Sequence, residues 1–313
     1  MEERTNMQFG FEEIKQIYSQ PILKLIYEAN TVHQANFNND IELCHLISIK
    51  TGGCPEDCAY CPQSNKYKTS ITNVPLLPIT EIEKSVKMAK NAGVRRICLG
   101  AAYRTPNLRA LKQVCEYIKI IKHHGLETCA TLGSLSLEQA RSLKQAGLDY
   151  YNHNLDTSPE YYPKIITTRT FNERIETIIN VDKAQIKVCT GGILGLGETN
   201  DDRIKFIQAL YDLPCNLSSI SINMLSKIPG TPLANQEDLD KFELIRTIAT
   251  IRIIFTKARI RLSAGRIGLS EIEQATCFLA GANSIFYGEK LLTTPNNFQK
   301  QDQILLKKLG VLC

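Results

Sequence analysis

Long apolar runs are absent from this chain. No stretch reaches the ~18 uninterrupted apolar residues of a membrane span. The most apolar helix-like segment, around 245–256, is interrupted by Arg246 and Arg252. The first ten residues, MEERTNMQFG, open with acidic side chains and lack the apolar core of a secretory signal. These absences predict a cytoplasmic protein with no membrane partner. Dense basic clusters are missing as well. The 37 Lys and Arg against 32 Asp and Glu leave a formal net charge of +5, spread along the chain, which argues against a nucleic-acid partner and suits anionic substrates or an acidic redox partner. No segment is low in complexity, and the five histidines show no ligand spacing. Hydrophobic content of 43% and charged content of 22% are those of a globular chain with a core, which excludes disorder.

Cysteine, by contrast, is plentiful: there are eleven in 313 residues. In a chain without an export signal, thiols point to metal binding or catalysis before disulfides, and the odd count opposes complete pairing.

Residues 1–40 read as a helical N-terminal cap. Phe11, Ile14, Ile17 and Tyr18 are spaced for one helix face, and Pro21 separates that helix from a second over 22–30. From 41 to 313, short β-rich runs alternate with longer amphipathic stretches. Strands are expected over 42–49, 95–101, 127–132, 150–155, 187–194, 219–224, 260–263 and 284–287. Helices are expected over 79–91, 108–123, 136–145, 172–184, 201–211, 239–256 and 270–279. Such alternation implies parallel βαβ units. Polar residues of successive strands, Cys98, Cys129, Asn154, Cys189, Asn223 and Arg261, lie 31, 25, 35, 34 and 38 positions apart, and one βαβ repeat takes roughly 30 or more. Eight such strands predict an α/β fold, a TIM-type (β/α)8 barrel with an N-terminal helical extension. An open doubly wound sheet has the same sequence pattern.

The densest chemical signal is the segment Thr51-Gly-Gly-Cys54-Pro-Glu-Asp-Cys58-Ala-Tyr-Cys61-Pro-Gln-Ser64, directly after the first strand. A barrel keeps its active-site loops at that place. Gly52 and Gly53 allow a tight turn, and Pro55 and Pro62 stiffen the loop. A structural zinc site takes four protein ligands, and iron–sulfur clusters ordinarily take four thiolates. Three thiols on a cluster leave one iron open to a small molecule; zinc and simple burial are the competing readings.

C-x3-C-x2-C with an aromatic residue, Tyr60, before the last Cys resembles the signature of the radical S-adenosylmethionine superfamily. The resemblance implies that Cys54, Cys58 and Cys61 hold a 4Fe–4S cluster whose open iron binds S-adenosyl-L-methionine. Gly191-x-Ile193-x-Gly195-x-x-Glu198 is similar to that superfamily's adenosine-contacting motif.

Cys98, Cys129 and Cys189 fall in strands two, three and five, where inward side chains meet in layers. Each alone reads as a small buried hydrophobe; together with Arg261, in Arg261-Leu-Ser263-Ala-Gly-Arg266, they suggest a second metal centre. Tyr150-Tyr-Asn-His-Asn-Leu-Asp-Thr-Ser158, Ile222-Asn-Met224, Ala280-Gly-Ala-Asn-Ser-Ile-Phe-Tyr-Gly288 and Leu291-Leu-Thr-Thr-Pro295 resemble the biotin synthase family from about residue 10 to 309. That resemblance implies a sulfurtransferase acting on dethiobiotin, with Cys98, Cys129, Cys189 and Arg261 ligating a 2Fe–2S sulfur donor. Arginine is effectively always protonated, so physics alone makes Arg261 a counter-charge. The resemblance further implies Asn154 and Asn223 at the substrate ureido ring, Asp156 at the adenosyl ribose, a flavodoxin or ferredoxin donor, and a homodimer.

Asn152, Asn154 and Asp156 recur at every second position on strand four, with Asn152 equally suited to capping. Lys50, Thr293 and Thr294 are candidates for the substrate carboxylate, and Arg169 and Arg174 are equally suited to the methionyl carboxylate or to solvent-facing positions. Cys115 and Cys277 read as helix residues, Cys215 and Cys313 as loop or tail residues. Cys44, on strand one, is open between simple packing and an approach to the barrel interior.

Overall fold

The computed structural model describes residues 9–38 and 40–311; Cys313 and the first eight residues lie outside them. Eight parallel strands form a closed barrel in chain order: β1 (Glu42–Lys50), β2 (Arg96–Ala101), β3 (Glu127–Thr131), β4 (Tyr150–Asn152), β5 (Lys187–Leu194), β6 (Leu217–Met224), β7 (Arg259–Leu262) and β8 (Ser284–Phe286). Pairing of β1 with β8, Glu42 opposite Ser284 and Cys44 opposite Phe286, closes it. The open-sheet alternative is thereby excluded.

Two helices, α1 (Phe11–Tyr18) and α2 (Ile22–Asn36), precede the barrel. Around it lie α3 (Ile79–Asn91), α4 (Leu108–His123), α5 (Leu137–Gln145), α6 (Phe171–Lys183), α7 (Asn200–Tyr211), α8 (Lys241–Ile254) and α9 (Glu271–Leu279), followed by α10 (Gln299–Lys308). Their starts are set by side chains. Asn107 accepts from Ala110 N, and Ser136, Thr170, Thr199 and Ser270 form capping boxes with Gln139, Glu173, Asp202 and Glu273.

Alternate strand residues point to opposite faces, and the two faces differ in chemistry. Ile97, Leu99, Val188, Ile220, Ile222, Ile260, Leu262 and Ile285 join the helices in one apolar core. The inward set is rich in polar and thiol groups, Cys44, Arg96, Cys98, Cys129, Cys189, Ser221 and Arg261, with Leu46, Tyr150 and Phe286 packed against them. Barrel interiors are usually filled by branched aliphatics, so this interior is shaped for something other than packing.

Three elements depart from expectation. Helix α2 continues to Asn36 instead of 30, because nothing in 31–36 breaks it and Ala29 and His33 keep its buried face. Strand β4 ends at Asn152 instead of 155. Beyond it the chain follows β5 through His153 N to Cys189 O and an isolated bridge at Asp156, where Asp156 N donates to Gly191 O and Ile193 N to Asp156 O, and Asp156 turns to φ +69°. Helix α10 was not expected; it docks through Leu305, Leu306 and the buried Asp302, which pairs with Arg266 at 2.5 Å.

Candidate active site

The loop 51–64 leaves β1 through two residues of positive φ, Gly52 (+73°) and Gly53 (+67°). A Cβ on Gly52 would strike the Asn73 side chain, so only glycine makes this turn. Cys54 N donates to Gln63 O (2.9 Å), Asn65 N to Cys54 O (2.8 Å) and Cys61 N to Cys58 O (2.9 Å), coiling the three thiols into one compact loop. A clamp from the β2–α4 and β4–α6 connections holds this loop down. Glu56, buried, sits between Arg104 (3.1 Å) and Arg169 (3.1 Å). Asp57 accepts from the Thr167 and Thr168 amides at 3.0 and 3.1 Å.

Cys54, Cys58 and Cys61 all line a cavity of about 340 Å³ at the barrel mouth. Burial pushes all three thiols up, Cys61 to about 11. Among the described residues no three His, Cys, Asp or Glu side chains close around a point that would suit a single ion. The donor set does suit an iron–sulfur cluster. Three thiols share one wall, free of disulfide bonds, and a bound metal would displace protons that burial otherwise retains.

Beside the thiols, Asp156 receives a hydrogen bond from Tyr60 Oη (2.8 Å) and pairs with Arg174 Nη2 (2.7 Å). Arg174 also donates to Tyr162 Oη (2.7 Å) and Asn154 O (2.8 Å). Arg174 and Arg169 both line the cavity, but each is already held by a carboxylate, Asp156 and Glu56 respectively. Asn154 Oδ1 accepts from Ser221 Oγ (3.2 Å), and Asn223 bridges Gly192 O (2.9 Å) and Ala264 N (3.1 Å). Asn152 presents a buried Oδ1 with no protein partner.

Deeper in the barrel, Cys44, Cys98, Cys129 and Cys189 pack as one buried group with Tyr150. Strand register explains this: Cys98 lies opposite Cys129, and Asn152 opposite Cys189. Arg261 enters from β7, donating to Ser284 Oγ (3.1 Å) and to Cys44 Sγ (3.1 Å). Below them Glu42 pairs with Arg96 (2.9 Å) and Arg261 (3.5 Å), and Arg96 stacks on the Tyr150 ring at 3.5 Å. Burial alone would raise the Glu42 carboxyl, but Arg96, Arg261 and Arg259 hold it below the usual range. Hydrogen bonds from Cys129 and Cys44, then Arg261 and Arg96, lower the Cys98 thiol. Cys129, then Arg96 and Arg261, lower that of Cys189. Cys44 is instead pushed up by burial, and Cys129 by its neighbouring thiols.

The structure brings together on one cavity Cys54, Cys58, Tyr60, Cys61, Cys98, Cys129, Asn154, Asp156, Ile193, Asn223 and Arg261, with Thr293 and Thr294. Other candidates sit behind it. Gly191 allows β5 to approach β6, since a Cβ there would overlap Ser221 O. Gly195 turns at φ +86°. Glu198 caps the loop amides of Gly195 and Leu196 and pairs with Arg203 at 2.8 Å. Lys50 is spent on the backbone carbonyls of Gly52 and Ala102. Cys277 packs in α9, Cys215 is buried between α7 and β6, and Cys115 reaches Ser142 O from α4.

Sequence reasoning did not find Glu42, Arg96, Glu56 or His153. The last lines the cavity with Nε2 unpartnered, its ring kept neutral by burial, Arg174 and Arg169. The Glu-after-Cys-Pro position carried a signal for Glu56; nothing local distinguished the others.

A (β/α)8 barrel with a three-thiol loop at its mouth defines a radical S-adenosylmethionine enzyme. Residues 48–210 match the Radical SAM superfamily, and residues 221–312 the Biotin and Thiamin Synthesis associated domain. The fold resembles methylornithine synthase (TM-score 0.83, 19% identity, 98% of this chain and 94% of that one). It also resembles the FeFe-hydrogenase maturase HydG from Carboxydothermus hydrogenoformans (0.81, 18%, 97% and 76%).

Closer relatives narrow the class. The chain is 53% identical over 303 residues to a biotin synthase of Rickettsia felis (96% of this chain, 98% of the relative). It is 56% identical over 303 residues to that of Francisella philomiragia (96% and 97%). It belongs to the biotin synthase family.

Proposed function

We propose that this enzyme forms biotin from dethiobiotin, with a 4Fe–4S cluster on Cys54, Cys58 and Cys61 and a 2Fe–2S cluster on Cys98, Cys129, Cys189 and Arg261. The observation that carries this reading is the thiol-and-guanidinium layer lying beneath the cavity that the loop cysteines cover. Dethiobiotin offers saturated C–H positions that no general base ionises at pH 7, so radical chemistry is required. When bound, the first cluster supplies the electron that splits S-adenosyl-L-methionine into a hydrogen-abstracting 5′-deoxyadenosyl radical, and the second supplies sulfide.

The protein's part is position and exclusion of water. Asp156, oriented by Tyr60 and Arg174, receives the ribose hydroxyls, with Ile193 against the adenosyl group. Gly191, Gly195 and Glu198 shape the strand end that carries Ile193. Asn154 and Asn223 meet the cyclic urea, whose N–H and C=O groups match the donor and acceptor of an amide. Arg261 and Arg96 supply positive charge to an anionic cluster. Residues 1–40 serve as a cap on a barrel of 41–313. A flavodoxin or ferredoxin as electron donor, a homodimeric assembly and a cytoplasmic location complete the reading; the net charge of +5 suits an acidic donor.

The test is an anaerobic single-turnover assay of reconstituted protein with S-adenosyl-L-methionine, dethiobiotin and a reductant. Biotin and 5′-deoxyadenosine should appear together, and Cys189→Ala should lose biotin while retaining deoxyadenosine. Deoxyadenosine without biotin, from protein verified to carry both clusters, would overturn the substrate assignment.

A further inference from the structure

The interior layer holds one more thiol than the three so far given a role. Cys44, on β1, is fully buried and packs in the same group as Cys98, Cys129 and Cys189. In that group Cys98 lies directly opposite Cys129 across the β2–β3 ladder. Arg261 Nη2 lies 3.1 Å from Cys44 Sγ, so the arginine and this thiol occupy one corner of the layer. The corner is fixed from below. Glu42 Oε2 lies 3.4 Å from Cys44 Sγ and 3.0 Å from Ser284 Oγ, which in turn accepts from Arg261 Nε.

The layer therefore presents five side chains, four thiols and one guanidinium, to a cluster that takes four ligands. A protonated guanidinium has no lone pair to offer, whereas a fourth thiolate completes the ordinary ligand set of such a cluster. We propose that Cys44 is an alternative fourth ligand of the interior cluster, sharing its corner with Arg261 and taking that position when the guanidinium withdraws. This rests on the 2Fe–2S reading above.

Wild type, Arg261→Met, Cys44→Ser and the double variant of the full chain would be reconstituted anaerobically with iron and sulfide. Iron and sulfide content, visible and Mössbauer spectra, and release of iron to a chelator are then compared; retention of the loop cluster reports an intact barrel in each. Arg261→Met should keep the interior cluster, with its spectrum shifted toward four-thiolate ligation. Adding Cys44→Ser should abolish that shift and weaken iron retention roughly tenfold. Identical spectra and release for Arg261→Met and the double variant would overturn the inference and leave the 2Fe–2S reading standing. Wild type that carries the loop cluster and no interior one would overturn both.

Discussion

Cys54, Cys58 and Cys61 come from one loop, whereas Cys44, Cys98, Cys129 and Cys189 come from four strands. The first group is held by a local coil and a clamp from two neighbouring connections, and it opens onto a cavity. The second is held by barrel register, buried at the bottom of that same cavity where Cys98, Cys129 and Arg261 line it, and set on Glu42 and Arg96. A loop can tilt without unfolding the barrel and so can admit a cosubstrate. A layer of strand residues cannot move without breaking the sheet, which suits a group that must hold its place beside the reacting carbon.

The sharpest way to break this comparison is to remove one thiol from each region. Cys58→Ala should reduce 5′-deoxyadenosine and biotin formation together to the cluster-free background. Cys98→Ala should abolish biotin alone, in a single-turnover assay that follows both products. Loss of deoxyadenosine in Cys98→Ala, with loop-cluster iron retained, would show that the regions are not separable.

The floor distinguishes them next. Glu42→Gln leaves the buried Arg261 without its carboxylate and Arg96 with Glu127 alone, and breaking a buried pair of this kind costs about 3 kcal/mol. Chemical denaturation of the cluster-free variant should show that loss. Glu56→Gln, in the loop clamp, should cost about 2 kcal/mol or less, the worth of a charged hydrogen bond. Its signature should be local: faster amide exchange over 54–64 and a raised KM for S-adenosyl-L-methionine. Global destabilisation by Glu56→Gln would mean that the loop is as integral to the barrel as the interior layer.

His33, in the N-terminal helices, provides a control outside both regions. Burial, then Arg252 and Arg259, lower its pKa from 6.5 to about 4, against a smaller opposing effect of Asp40. The unfolded chain therefore binds the proton first, and stability falls as pH drops below 6.5. About 1 kcal/mol should be lost between pH 6.5 and roughly 5.5. His33→Gln should flatten that part of the stability curve without altering either cluster's spectrum; an unchanged curve would refute the assignment.

The amino-acid sequence by itself determined the alternation of eight strands with helices, because hydrophobic period and capping residues such as Ser136, Thr170 and Ser270 are local signals. The loop thiols were equally legible, since eight residues carry all three. Strand β4 was overextended because its Asn152, Asn154 and Asp156 keep a two-residue period through a backbone that has already left the ladder. Only the tertiary structure decided closure of the barrel, and with it which polar residues share a layer. Cys44 meets Arg261 across β8, which pairs with both β1 and β7, and Glu42 meets Arg96 because β1 pairs with β2. No local pattern records a contact between residues 217 positions apart; parallel register and the closing of the sheet create it.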